Sequence, residues 1–211
     1  MKNKLLLIFF LSLGWTSCKT QYSKIELRVN FTSREIADLN KITSFFKEEV
    51  CGNMDFDTCF RKINIDSLVA EGENVWNRIN FEKQVEFYSE ISTSVFDEIW
   101  MFCESTYHPS GIKAKEICSA VDGKYLQYLT DLGRNNPRIA EYAKRIRASG
   151  DFNVFDIYFK DLLQDNEYFN LNDSNIQLIL AVHYLTMNDQ EKRNASLKEM
   201  NSELLENHNY R

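Results

Sequence analysis

The sequence has few of the residues that interrupt regular structure. Only 7 of its 211 residues are glycine and 2 are proline, whereas a chain of this length ordinarily carries about 25 of the two together. Sandwiches, barrels and propellers need many turns built on glycine and proline. The composition therefore argues against these all-β folds.

Recognisable catalytic motifs are also missing. The chain has 3 histidines and contains no HExxH, GxSxG, CxxC or glycine-rich phosphate loop. The absence of CxxCH removes covalent c-type haem. We therefore predict no cofactor and favour a role other than catalysis, although two carboxylates brought together by the fold could still form a hydrolase site.

The chain has fewer basic than acidic residues, which is unusual for a protein that binds nucleic acid. The formal net charge is −6, and proteins that bind nucleic acid neutralise phosphates with lysine and arginine. We predict no nucleic-acid partner. A local basic cluster could contact lipid headgroups, or it could simply complement a helix C-terminus; it consists of Arg134, Arg138, Lys144, Arg145 and Arg147.

The first residues have the pattern of an export signal. Lys2 and Lys4 precede an apolar run over residues 5–13, and small residues follow it. A charged start, a short apolar region and a small-residue exit are typical of a secretory signal. The uncharged stretch over 5–18 is shorter than the roughly 20 residues that a spanning helix needs.

The end of this signal, Thr16-Ser17-Cys18, resembles the lipobox of a bacterial lipoprotein precursor. The resemblance implies cleavage before Cys18, a diacylglycerol on its thiol and an acyl chain on its amine. It covers residues 1–18 and implies nothing about the mature fold. Trp15 departs from the pattern, which prefers leucine at that position.

This resemblance sets the expected domain organisation and location. We expect a signal peptide over 1–17, a lipid-anchored tether over 18–24 and a single domain over 25–211. Residues 19–22 lack the acidic cluster that directs some lipoproteins to the cell surface, so we expect a periplasm-facing anchor in the outer membrane. The alternative is an ordinary secreted protein cut near Ser17, in which three sequons could be glycosylated, at Asn30, Asn172 and Asn194.

The cysteine count agrees with lipidation. With Cys18 as the anchor, four of the five cysteines remain, and an even number in an exported protein implies two disulfides. We favour the two pairings that close short loops, Cys51–Cys59 and Cys103–Cys118. The loop-entropy model assigns about 2.5–3 kcal/mol of stabilisation to each.

Hydrophobic spacing predicts an all-α domain of about seven helices. A capping box at Thr32 and Glu35 begins the first helix, and Gly52 ends it. Alternating polar and apolar residues over 25–31 predict, in addition, one short N-terminal strand. The other clear helices are predicted over 82–107, 125–132, 137–149, 152–162, 176–187 and 197–204, with two weaker ones over 57–63 and 67–79.

His108 is a candidate for a functional site, whereas His183 is a candidate for the core. Glu104 and His108 are four residues apart, so a helix would place them on one face as an acid–base pair or as metal ligands. The alternative is a histidine at a helix end and a solvated glutamate. His183 lies in the apolar helix predicted over 176–187, so we expect a buried core residue.

An acidic segment could bind calcium. Asn53, Asp55 and Asp57 place oxygen ligands at alternate positions, as at the start of a calcium loop. Thr58 then occupies the usual glycine position, and Asn64 stands where the bidentate glutamate belongs. The alternative is a solvated loop whose aspartates cap the following helix.

These observations predict a lipid-anchored protein of the cell envelope that binds a protein partner at the membrane surface. It could be an assembly factor, an inhibitor or an immunity protein. One alternative is a cell-envelope hydrolase that uses carboxylates; another is a lipoprotein that binds a small ligand or glycan in an aromatic cleft. The chain has 15 Phe, 10 Tyr and 3 Trp, and an exposed cluster of them would be the best interface candidate.

The lipoprotein interpretation predicts the intact mass of the native protein. The mass should show loss of residues 1–17, acyl groups on Cys18, and four hydrogens fewer than the reduced chain because of two disulfides. Replacing Cys18 by serine should abolish the acyl addition. A native protein with its leader attached and all five thiols titratable would contradict the interpretation.

Overall fold

The structure is a computed structural model, and it describes residues 25–69, 74–108, 110–152 and 169–209. Within these ranges the protein has nine α-helices, one short 3-10 helix and one two-stranded sheet. The mainly helical fold class is thereby confirmed. The helix predicted over 152–162 falls almost entirely outside the described residues.

The described elements follow one another along the chain in this order. The helices are α1 (Ile25–Asn30), α2 (Ser33–Cys51), α3 (Phe56–Val69), α4 (Phe81–Phe87), α5 (Thr93–Ile99), α6 (Lys124–Gly133), α7 (Pro137–Ser149), α8 (Ser174–Lys192) and α9 (Ala195–Asn209). The strands β1 (Trp100–Tyr107) and β2 (Ile112–Ser119) form an antiparallel hairpin, and the 3-10 helix spans Val75–Arg78.

Helix α8 lies at the centre of the domain. Its residues are buried on almost every side, in agreement with the nearly continuous apolar character of its sequence. Helix α2 packs along it, and the ring of Phe46 stacks on that of Tyr184 with centroids 5.9 Å apart. Most of the other elements pack around this pair of helices.

The capping box at the start of α2 is confirmed. The Glu35 carboxylate accepts a hydrogen bond from the Thr32 backbone N–H at 2.7 Å, and the Thr32 hydroxyl accepts one from the Glu35 N–H. Glu35 also accepts from the Lys124 ammonium at 2.6 Å, which joins α2 to α6. The hydrogen bond from Lys124 is the main reason why the pKa of Glu35 falls to about 2.

The N-terminal strand prediction is wrong, because residues 25–30 form helix α1. Leu27 and Phe31 are four residues apart on one helical face, and both are buried against the core. Ile25 and Val29 are also four residues apart, and they lie on the opposite, exposed face. A six-residue segment can satisfy both periodicities, and packing of the Leu27 face against α6 favours the helix.

The long helix predicted over 82–107 is also wrong. The segment instead forms α4, α5 and β1, and the break between α4 and α5 falls where an α2 side chain binds the backbone. Asn80 caps α4, and Ser92 precedes α5 with its backbone N–H donating to Asp38 of α2 at 3.0 Å. The chain then enters a hairpin whose return includes Gly111 at φ 72°, a conformation that favours glycine.

Two cysteine pairs lie at disulfide distance, in the pairing that the sequence predicts. Cys51 and Cys59, with Cα atoms 5.8 Å apart, join the end of α2 to α3. Cys103 and Cys118, with Cα atoms 6.0 Å apart, join β1 to β2. Helix α3 is longer than the predicted helix over 57–63, and only a 3-10 helix occurs where the second weak helix was predicted to end.

The helical form of α1 predicts unequal effects for two alanine substitutions. Leu27→Ala should lower the free energy of unfolding by about 2–4 kcal/mol, because the side chain is buried in the core. Val29→Ala should change it by less than about 0.5 kcal/mol, because Val29 is 74% exposed. Urea unfolding measures both. A strand would place the two side chains on one face, so equal losses would contradict the helix.

Candidate functional site

An exposed groove lined by aromatic rings lies between α4, α5 and β1. We call it the aromatic groove. It has a volume of about 410 Å³. Its floor consists of Val85, Tyr88, Phe96 and Phe102, and Asp97 and Arg193 lie at its rim.

The rings of the groove continue a row that begins in the core. Trp100 is fully buried, and its indole N–H donates to the Thr186 hydroxyl of α8 at 2.8 Å. Its ring lies 5.4 Å from that of Phe96, which lies 5.7 Å from that of Phe102. Phe102 is 40% exposed. Because Trp100 is fixed in the core, the two phenylalanines are held in place at the surface.

A buried polar network beneath the groove fixes α4 against α8. The Gln84 side-chain amide donates to the Leu185 carbonyl at 2.8 Å, and its oxygen accepts from Asn188 at 2.8 Å. The same amide contacts the Tyr88 hydroxyl, and burial raises the pKa of Tyr88 well above its usual range. Gln84 and Tyr88 are thus held on the side of α4 that faces α8, while Val85 remains exposed on the surface.

Two cations lie over Phe102, and they differ in their pairing. The Arg193 guanidinium lies 5.0 Å from the ring centroid and makes two hydrogen bonds to the buried carboxylate of Asp189. The Lys115 ammonium lies 4.0 Å from the same centroid. Among the residues that the structure describes, neither Lys115 nor Asp97 has an ion-pair partner. The groove therefore has an apolar floor with the Asp97 carboxylate in its lining, and the Lys115 ammonium lies beside it, over Phe102.

The proposed pairing of Glu104 and His108 is wrong in its geometry. Glu104 lies on β1, where its exposed carboxylate pairs with Lys113 at 2.6 Å, and His108 lies in the turn that follows the strand. Four residues along a strand span about 13 Å, whereas a helical turn would bring the two side chains together. The hydrolase alternative therefore loses its candidate pair.

The acidic segment before α3 has the capping geometry. Asp55 accepts hydrogen bonds from the Thr58 backbone N–H at 3.0 Å and from its hydroxyl at 2.9 Å, and Asp57 pairs with Arg61 at 3.0 Å. The Thr58 bonds lower the pKa of Asp55. The Asp55 contacts match the capping alternative, and one carboxylate oxygen of each aspartate is engaged within this segment. Within the described ranges, no group of three His, Cys, Asp or Glu residues could hold a metal ion.

A second cavity, of about 540 Å³, lies between α1, α2 and the start of α8. Most of the residues that line it have polar side chains, and Lys47 donates to Gln177 at 3.2 Å. None of the described residues that line it is aromatic. It therefore differs from the aromatic cleft that the glycan-binding alternative requires.

Comparison with known proteins adds no assignment to this site. No family model, no curated protein and no solved structure matches the chain. In the part of the chain that the structure describes, no helix is both long enough and apolar enough to cross a bilayer. The groove must therefore be interpreted from its own geometry.

No sequence motif indicates the groove, because the helix predicted over 82–107 places Phe102 on a helix instead of a strand. The run from Thr106 to Ile117 contains Tyr107, Gly111 and Ile112, and a glycine between β-favouring residues is a signal for a hairpin. That signal could have placed Phe102 on a strand. The meeting of α4, α5 and β1 depends on tertiary packing.

His183 is a core residue, as the apolar helix predicts. Its ring is buried, its Nδ1 lies 3.1 Å from the Tyr142 hydroxyl, and it packs edge-on against Tyr184. Burial lowers the pKa of His183 to about 4. The folded protein therefore favours the neutral imidazole.

This burial predicts a loss of stability in mild acid. The unfolded chain takes up the proton near pH 6.5 and the folded chain near pH 4, so the full stability is present above pH 6.5 and falls as the pH drops towards 4. The loss should amount to about 3 kcal/mol over that interval. Urea unfolding at pH 7 and pH 4.5 should show a steeper decline for the natural protein than for His183→Gln. Glu35 affects both proteins alike, and parallel declines would contradict the assignment.

Proposed function

We propose that this protein is a lipid-anchored protein of the cell envelope that acts by binding a protein partner through the aromatic groove. The groove is the observation that carries the proposal. Lipidation at Cys18 and the tether over 18–24 come from the sequence, and together they would keep the groove close to a membrane.

The composition of the groove supports a protein partner. Aromatic residues and arginine are enriched at the positions that dominate binding energy in protein interfaces. Phe102 and Val85 are 40% and 43% exposed, and the ring contact of Phe96 and the salt bridge of Arg193 restrain the surface around them. A rigid surface loses little conformational entropy on binding, which favours affinity.

The charges at the rim define the partner segment. It should insert an apolar side chain between Val85 and Phe102, with a carboxylate facing Lys115 and a cation facing Asp97. Both charges of the groove would then gain partners that the described part of the chain does not supply. Such a contact suits an assembly factor, an inhibitor or an immunity protein, and an adjacent toxin-like gene would favour the last.

Affinity purification from solubilised membranes tests this function. The natural protein should recover a stoichiometric partner, and Val85→Asp should lower the recovery by at least about tenfold, because a carboxylate would enter the apolar floor. Lys115→Glu should weaken it as well, since the partner's carboxylate would then meet a like charge.

Met54→Asp is the matched control. Met54 is 56% exposed and lies in the connection between α2 and α3, apart from the groove. This variant should recover the partner as the natural protein does. Recovery of no stoichiometric partner, or equal recovery by the Val85 and Met54 variants, would count against the groove as the binding site.

A further inference from the structure

Helix α1 has a buried face and a face that no described residue covers. Leu27 and Phe31 point into the core, and Asn30 donates to Asp131 of α6 at 2.9 Å. Ile25 and Val29 lie on the other side and are 64% and 74% exposed. Their spacing of four residues places them on one face, which we call the outer face of α1.

Charged residues border the outer face on both sides, with the half-buried Glu26 next to Val29 and the exposed Arg28 next to Ile25 around the helix. Arg28, which is exposed, is adjacent to Ile25 and Val29 around the helix, and no described residue forms an ion pair with it. Arg34 is exposed at the start of α2, also without an ion-pair partner in the described part of the chain. These cations stand out because the chain as a whole carries a net charge of −6.

Helix α6 brings a further cation to the same end of the domain. Asp131 accepts from Asn30 through one carboxylate oxygen and pairs with Arg134 at 2.9 Å through the other. Arg134 itself is exposed. The basic cluster of the sequence thus begins beside the C-terminal end of α1.

The short chain between the lipid anchor and α1 would keep the outer face of α1 close to the bilayer. If Cys18 carries the lipid, the tether over 18–24 has seven residues including Cys18, and it spans at most about 25 Å when fully extended. Helix α1 is therefore the first described element that follows the anchor. A bilayer is an apolar surface bordered by headgroups, and anionic headgroups attract nearby lysine and arginine.

We propose that the outer face of α1 docks on an anionic lipid bilayer, with Ile25 and Val29 entering the interface and the arginines contacting headgroups. The proposal rests on the anchoring given under the proposed function. A short tether holds a domain at a millimolar effective concentration of its target, so a weak contact is sufficient. Docking would fix the orientation of the domain instead of leaving it free on its tether.

Vesicle sedimentation with an unacylated protein tests this docking. The test protein is the chain from residue 18 onward with Cys18→Ser, which contains every residue that the structure describes. At about 5 mM lipid, near the effective concentration that the tether provides, it should bind vesicles of phosphatidylcholine with phosphatidylglycerol. Binding to phosphatidylcholine alone should be about tenfold weaker.

Three variants separate the outer face from the rest of the surface. Val29→Asp and Arg28→Glu should each lower the partition coefficient by about tenfold, because they place a carboxylate on the docking face. Met200→Asp introduces the same charge at an exposed apolar position on α9 and should bind as the test protein does. Unchanged urea midpoints would show that all three variants remain folded.

The proposal is overturned if the test protein fails to bind at this lipid concentration. It is equally overturned if binding ignores the anionic lipid, or if Met200→Asp loses as much binding as Val29→Asp. Because the test protein has no acyl chain, its result is independent of lipidation and of the aromatic groove. A failure of docking is therefore distinguishable from a failure of anchoring or of partner binding.

Discussion

Helix α8 is buried on nearly all sides, and its burial determines how the neighbouring elements are arranged. A helix in the middle of a domain has little solvent for its polar side chains, so hydrogen bonds to neighbouring elements stabilise them. Asn188 binds Gln84 of α4, Thr186 accepts from Trp100 of β1, and the ring of His183 contacts the Tyr142 hydroxyl of α7. These bonds place three elements around one axis, and two of the three form walls of the aromatic groove.

Local signals made much of the fold predictable. The capping box at Thr32, the proline at 137 and the glycine at 150 all act within a few residues, and the helices that they delimit are confirmed. The disulfide pairing was accessible for the same reason, since each pair closes a short loop. Segments 25–31 and 82–107 were predicted wrongly because their apolar spacing fits more than one structure and packing against distant helices decides between them.

The site was less predictable than the fold. The spacing of Glu104 and His108 brings two side chains together only on a helix. Glu104 lies on a strand of the hairpin, so the spacing does not pair them. Phe96 and Phe102 carried no motif, and they meet only because α5 ends directly at β1. A binding surface made by such a junction leaves little trace in a single sequence, whereas a metal or nucleotide motif would have left one.

A disulfide between Cys103 and Cys118 would determine when the strands beside the groove become cross-linked. It closes the hairpin at the residue next to Phe102, and the reducing cytosol does not sustain such bonds. Under the export proposed above, a newly made chain would cross the membrane before this hairpin is locked. The hairpin that carries Phe102 would then take its cross-linked form only on arrival in an oxidising compartment.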